Sequence, residues 1–347
     1  MISHSKPTLD HEDYKSVMDV LKSGHLVQGE KVAGFEEDLS AFIGVKNGVA
    51  VSSGTAALHL SLIALGVGEG DEVIIPSYVC SAVLNAVMYV NAVPIIADID
   101  KHTFNIDPRD LKKKVTKRTK AVIVPHMFGL PAEVDEISSL GIPVIEDCAQ
   151  SIGAKYKGRY TGSFGVCSVF SFYATKMLAT GEGGMVLSDD ERFIKVIRDL
   201  RDYDEKESYS VRYNYKMTDI HAAMGISQLK KLPSFIQKRK EIADFYNRTL
   251  EEIPFPVPVV PEGREHIYYR YVLLTQNTSR FIDEMRKKKI ECRKPVFKPL
   301  HGYLPLYGCP VTDEVAAQAV SIPIYPLLND KEVHGIADNI KALLLKS

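Results

Sequence analysis

Over its first two-thirds the chain alternates short apolar runs with longer amphipathic stretches, and this alternation limits the folds open to it. Val49 to Ser52 reads as a strand and Ala56 to Leu65 as the helix that follows. Glu72 to Ile75 is another apolar run, stopped by Pro76, and Ser81 to Tyr89 is helix-like. Val93 to Ala97, Ala121 to Val124, Pro143 to Glu146, Val169 to Phe172 and Gly184 to Leu187 continue the strand series. Short β-branched runs separated by helical segments predict an α/β chain with a largely parallel sheet covered on both faces. In such sheets ligands gather beyond the carboxyl ends of the strands.

From about Thr218 the pattern changes. Ile220 to Leu232 and Ser234 to Leu250 read as two helices. Glu251 to Glu262 then carries Pro254, Pro256, Pro258 and Pro261, which leaves no room for a regular helix. A domain boundary is expected there. It would separate a large domain at 1–250, with an N-terminal arm, from a smaller C-terminal α+β domain at 251–347. The smaller part offers a strand (Ile267 to Leu274), a helix (Ser279 to Lys289) and a terminal helix (Lys331 to Lys346).

Charge and composition exclude several classes. Forty-three basic and forty-four acidic side chains leave a net charge of −1, which argues against a nucleic-acid partner. The basic run Lys112 to Lys120 reads as a solvated helix end. Met1 to Asp13 is polar, with no signal-peptide core, and Ala82 to Ile99 is broken by Asn85, Asn91, Pro94 and Asp98, so no membrane association is expected. Cys80, Cys148, Cys167, Cys292 and Cys309 form no CxxC pair and read as reduced thiols of a cytoplasmic protein. The ten histidines include no HExxH and no paired HxH, so no metal is expected. Neither a Gly-x-Ser-x-Gly elbow nor a Gly-x-Gly-x-x-Gly run is present.

Three segments carry chemistry. In Val51-Ser52-Ser53-Gly54-Thr55-Ala56-Ala57 a strand ends, a glycine permits a tight turn, and a helix begins with free backbone N–H groups. That is an anion site, or a helix merely capped by Ser53 or Thr55. In Val144-Ile145-Glu146-Asp147-Cys148-Ala149-Gln150 an acid follows a buried strand, where it can either hold a pyridinium nitrogen protonated or cap a helix. In Ser168 to Lys176, followed by Gly181-Glu182-Gly183-Gly184, a lysine stands just past another strand. Burial there would favour the neutral amine that Schiff-base chemistry requires, whereas a lysine taken alone is a solvated charge.

Together these segments resemble the DegT/DnrJ/EryC1/StrS family of fold-type I pyridoxal-phosphate enzymes, chiefly sugar aminotransferases. The likeness runs from about Lys6 to Leu343. It includes Gly24 to Gly29, Phe35-Glu36, Ser53 to Leu58, Gly70 to Ile74 with Pro76-Ser77, Glu146 to Gln150, Ser171 to Lys176, Gly181 to Gly184, Tyr213 to Met217 and Pro299-Leu300-His301. The resemblance implies a fold-type I aminotransferase architecture and pyridoxal 5'-phosphate as cofactor. Lys176 matches the lysine that holds the cofactor as a Schiff base and shuttles the proton, and Asp147 the acid paired with the pyridine nitrogen. Gln150 matches a residue near the phenolic oxygen; Gly54, Thr55, Ala56 and Ser171 match the phosphate cradle. Asn214 matches a residue that reaches the phosphate from a neighbouring subunit, which implies a homodimer with shared sites.

One position departs from the family pattern. Many relatives stack an aromatic residue on the cofactor ring, and spacing from Thr55 puts Cys80 there. In an extended segment Tyr78 could share a face with Cys80, so either, or neither, covers the ring. His25, Tyr78, Tyr173, Arg212, Lys216, His301 and Tyr303 are candidate substrate contacts. The expected reaction moves an amino group, from glutamate by family analogy, to a keto group of a nucleotide-linked sugar. Two alternatives are a non-catalytic or regulatory cofactor-binding protein and a sugar dehydratase. Dehydratase relatives commonly carry histidine where Lys176 stands.

Overall fold

The computed structural model describes residues 1–251, 258–304 and 308–345. Seven strands form one sheet, in the order Asn47–Val51, Gly184–Ser188, Cys167–Ser171, Val144–Asp147, Thr119–Pro125, Glu72–Pro76 and Val93–Ala97. From Cys167–Ser171 onward every neighbouring pair is parallel, and Gly184–Ser188 runs against both of its neighbours. The anticipated apolar runs all lie in this sheet, with ends displaced by a residue or two.

These runs are apolar throughout because both faces of the sheet are buried and side chains alternate between them. Val49 and Val51, Val73 and Ile75, Ile123, Ile145, Val169 and Val186 point into one core with the helices Gly54–Ala64 and Ser81–Tyr89. On the opposite face, Ala50, Phe170, Met185 and Leu187 pack with Phe35 and Leu39 of the helix Glu30–Ile43 and with Leu229 and Leu232 of the helix Asp219–Leu250. Ile74, Val122, Val124 and Val144 fill a third cluster beside the helix Pro108–Lys114. Each fully buried Val or Ile contributes about 1.5–3 kcal/mol. Helix starts are set by polar caps: Ser53 Oγ accepts from Ala56 N–H, Asp107 from Arg109 N–H and Thr218 from His221 N–H.

Two expectations are corrected. Residues 219–250 form one helix that runs through Pro233. The proline removes one N–H, but Leu229 and Leu232 before it and Phe235 after it are buried, so packing on both sides keeps the axis continuous. The extended run expected from Ile267 is a strand only over Tyr271–Leu274, because Tyr268 takes φ 50° and turns the chain. That strand pairs antiparallel with Ala319–Ile322, a strand with no clear sequence signal. The pair is covered by the helices Thr278–Lys287 and Asp330–Leu344, and by Ile242, Tyr246 and Leu250 from the end of the long helix. The proline-rich stretch anticipated as a domain boundary lies partly outside the described residues.

Candidate active site

Three strand ends converge at the start of the helix Gly54–Ala64. Ser53 is extended and its side chain caps the helix, as the more ordinary sequence reading had it. The glycines beside it are required by space. A Cβ on Gly54 would lie 2.8 Å from Ser171 Cβ, and one on Gly184 would lie 2.4 Å from Ser53 C and O. Gly54 and Ser171 therefore meet across the sheet edge at the helix start. Backbone N–H groups at such a start favour an anion.

Asp147 ends the Val144–Asp147 strand and is buried. Burial pushes its carboxyl up, while the Ala149 N–H, at 3.0 Å from Oδ1, and the Lys176 charge pull it down. Its neighbour Glu146 points to the other face and does structural work. Burial pushes Glu146 up too, but the His126 imidazole at 3.0 Å and the N–H groups of Gly162 and Gly165 hold it below the usual carboxylate range. His126 Nδ1 accepts from Ala132 N–H, so its Nε2 carries the proton donated to Glu146. With Cys148 these two form a compact buried group whose His and Glu are already satisfied by protein partners. Gln150 Oε1 accepts from the Phe128 N–H at 2.9 Å, which orients its side chain.

Lys176 sits on a loop closed by backbone bonds. Phe172 N–H donates to Gly183 O, Ala174 N–H to Gly181 O, and Lys176 N–H to Tyr173 O. Gly183 has φ 148°, and a Cβ there would strike Met217 Cε at 2.5 Å. The lysine is half-buried, less enclosed than its place after a buried strand suggested. Its amine lies 5.4 Å from the centre of the Tyr269 ring. Tyr269 was not singled out by sequence reasoning; the only hint was a tyrosine-rich run, Tyr268-Tyr269-Arg270-Tyr271.

Cys80 and Tyr78 do not share a face. Tyr78 is 1% exposed and packs with Phe104 and Phe128, while Cys80 stands just before the helix Ser81–Tyr89, makes no side-chain cap bond and is exposed. Residues 77–79 form a bend, so the alternation of an extended strand does not apply. Protein packed around Cys80 pushes its thiol up, and Lys176 pulls it the other way, which puts thiol, amine and the Asp147 carboxylate within electrostatic reach of one another.

The remaining candidates are dispersed. His301 reaches the sheet edge, its Nδ1 2.6 Å from Ser77 Oγ and its Nε2 3.0 Å from Asp313. Tyr303 is exposed beneath the Lys298 amine, and Tyr173 is exposed on the lysine loop. Arg212 pairs with Asp199, and Lys216 with Asp202 and Asp204. Asn214 is exposed between Tyr213 and Tyr215, on a segment held to the sheet edge by the Ser52 N–H donating to Tyr215 O. His25 lines a separate groove with Asp19, Gln28, Lys31 and Asp219.

A buried carboxylate, an amine and a glycine-lined helix start thus share one sheet edge. They are the groups that a pyridine nitrogen, an aldehyde and a phosphate monoester call for, so the residues fit pyridoxal 5'-phosphate. The model of the DegT/DnrJ/EryC1/StrS aminotransferase family matches residues 7–341. A GDP-perosamine synthase of Escherichia coli O157:H7 is 35% identical, over 96% of this chain and 96% of that protein. The aminotransferase TlmJ from Streptoalloteichus hindustanus superposes with a TM-score of 0.95 at 30% identity, covering 100% of this chain and 99% of its own. The PLP-form of Spr1654 from Streptococcus pneumoniae does so at 0.94 and 28%, over 99% of each chain. The chain belongs to the DegT/DnrJ/EryC1/StrS aminotransferase family and is an enzyme whose cofactor is pyridoxal 5'-phosphate.

Proposed function

We propose that this enzyme moves an amino group from glutamate to a keto group of a nucleotide-linked sugar, with Lys176 and Asp147 as its catalytic residues. The observation that carries the reading is the buried Asp147 carboxylate, within electrostatic reach of the Lys176 amine at the carboxyl edge of the sheet. When bound, pyridoxal phosphate supplies an electron sink that allows a C–H bond beside an amine to be broken. Lys176 Nζ would hold the cofactor covalently and, when free of it, would accept and return the proton at Nζ. Asp147 Oδ would keep the ring nitrogen protonated, and burial would strengthen that contact by excluding water. Gln150, oriented by the Phe128 N–H, would face the phenolic oxygen. Gly54, Thr55, Ala56 and Ser171 would hold the phosphate at the helix start, where the dipole favours negative charge. With Tyr78 buried in the core, Cys80 rather than Tyr78 would be free to face the ring, and it would cover less area than an aromatic.

The sugar nucleotide is supported by the name of the Escherichia coli relative. His301, Tyr303 and Tyr173, near the same edge, are its proposed contacts. Asn214 is assigned to the partner subunit's cofactor, which makes the working unit a homodimer; Arg212 and Lys216 flank Asn214 on the same segment, and His25, in its separate groove, would join a site across such an interface. The division into a large part (1–250) and a small part (251–347) is proposed from the second core around Tyr271–Leu274. Among the described residues no helix is long and apolar enough to cross a membrane. A cytoplasmic location is proposed from the five unpaired thiols.

Glutamate added to the cofactor-loaded protein should remove the absorbance of the lysine-bound cofactor near the visible edge and build that of the amine form. A spectrum that does not respond would remove glutamate as donor. Lys176→Ala should lack that absorbance and all turnover, and an unchanged spectrum and rate would refute the assignment. A panel of nucleotide-linked keto sugars then identifies the acceptor.

A further inference from the structure

We infer that Tyr269 is a positioning residue for Lys176, holding the freed amine against its ring. This inference rests on Lys176 being the cofactor lysine.

The geometry comes from three elements. The lysine loop brings the Lys176 amine to 5.4 Å from the ring centre, within range of a cation–π contact. The preceding residue, Thr175, places Oγ1 3.5 Å from the Tyr269 hydroxyl. From the long helix the buried Arg239 donates through Nη1 to the carbonyls of Tyr268, Tyr269 and Ile324, which fixes the backbone that carries the ring. Arg270 lies 5.1 Å from the Tyr269 ring centre and also contacts His4 of the N-terminal segment. A narrow crevice lined by His4, Thr175, Arg239, Tyr269 and Arg270 adjoins the lysine loop.

Each charged group facing Tyr269 is a cation. Burial pushes its phenol up, but Lys176, Arg270, the Thr175 hydrogen bond and Arg239 outweigh that and bring it to about 8. His4, pushed down to about 3 by burial and by Arg270, adds no charge near neutral pH. Near pH 8 the phenol therefore gains and loses its proton directly beside the Lys176 amine. Asp147 and Cys80 face the same amine from the sheet edge.

Two measurements test this. The chain has 17 tyrosines and no tryptophan, so its difference absorbance on alkaline titration, read at wavelengths longer than the thiolates absorb, reports phenols alone. In cofactor-free protein one phenol should titrate near 8, vanish in Tyr269→Phe, and move up toward about 10 in Lys176→Ala. In loaded enzyme, Tyr269→Phe should keep the ring, lower kcat by about tenfold and shift its pH profile, with donor KM little changed. Tyr269→Leu, which loses the ring as well, should lower kcat on the order of a hundredfold. A phenol midpoint indifferent to Lys176→Ala, or a wild-type pH profile in Tyr269→Phe, overturns the inference. The two readings fail separately. Persistence of the cofactor absorbance in Lys176→Ala would reject Lys176 itself, whereas its loss with an unmoved phenol would reject only the role of Tyr269.

Discussion

Asp147 and Glu146 are adjacent acids on one strand with opposite electrostatic consequences. Asp147 lacks a cationic hydrogen-bond partner, and burial raises its pKa. The folded protein therefore binds that proton more tightly than the unfolded chain. Its contribution to stability is fullest below the unfolded value of about 3.9 and declines as pH rises through the folded one. Asp147→Asn should accordingly raise the Tm of cofactor-free protein near neutral pH, with little effect in acid, while slowing turnover on the order of a hundredfold. Thermal melts at two pH values, with steady-state rates, check both halves. Glu146 is held down by His126 and backbone N–H groups, so its contribution is present above the unfolded value of about 4.3 and is lost as pH falls through its lower folded value. Glu146→Ala leaves those donors unpaired and should cost about 3–5 kcal/mol in denaturant unfolding. The pair shows why the sequence Glu-Asp is ambiguous: alternation along a strand sends one acid into the structure and the other toward the site.

At the scale of elements, the long helix Asp219–Leu250 ties the two cores together. Leu229 and Leu232 pack under the main sheet, and Ile242, Tyr246 and Leu250 pack under the Tyr271–Leu274 pair. Asp219, at its start, also accepts from the N–H groups of Gly29 and Val32, at 2.8 and 3.0 Å, so it caps the helix Glu30–Ile43 from outside. Pro233 lies between the two packed stretches and leaves the carbonyl four residues back without its usual donor. Pro233→Ala should restore that bond and raise stability by up to about 3 kcal/mol without changing kcat. A loss of stability instead would mean that a bend at this point is needed for the two cores to pack.

For the whole molecule the decisive question is whether one chain completes its own site. Asn214 is exposed on a segment anchored to Ser52, and its proposed partner is the phosphate in a second subunit. Asn214→Ala should weaken cofactor retention by about tenfold, the worth of one hydrogen bond to a charged group, as measured by dilution of the loaded protein. Mixed dimers carrying Asn214→Ala in one chain and Lys176→Ala in the other separate the possibilities. Shared sites leave one damaged twice and one intact. Sites confined to single chains leave one damaged by each change, so the surviving Lys176 site would hold its cofactor weakly.

Much of this protein could be read before it was folded. The strands were legible because a sheet buried on both faces demands unbroken Val and Ile runs, and the Gly54 turn because helix starts have few solutions. The places of Lys176 and Asp147 were legible through their motifs, Asp147 at the end of one strand and Lys176 on the loop after another, while their roles are proposed. Tertiary structure alone decided the rest. Tyr269 becomes a neighbour of Lys176 only after the chain has returned from the second core, with Tyr268 at φ 50° turning it. Tyr78 entered the core and Cys80 faced outward because a bend replaced the expected strand. Pro233 stayed helical because contacts distant in sequence outweighed its local preference. Periodicity reports which faces are buried; it carries no information on which buried faces meet.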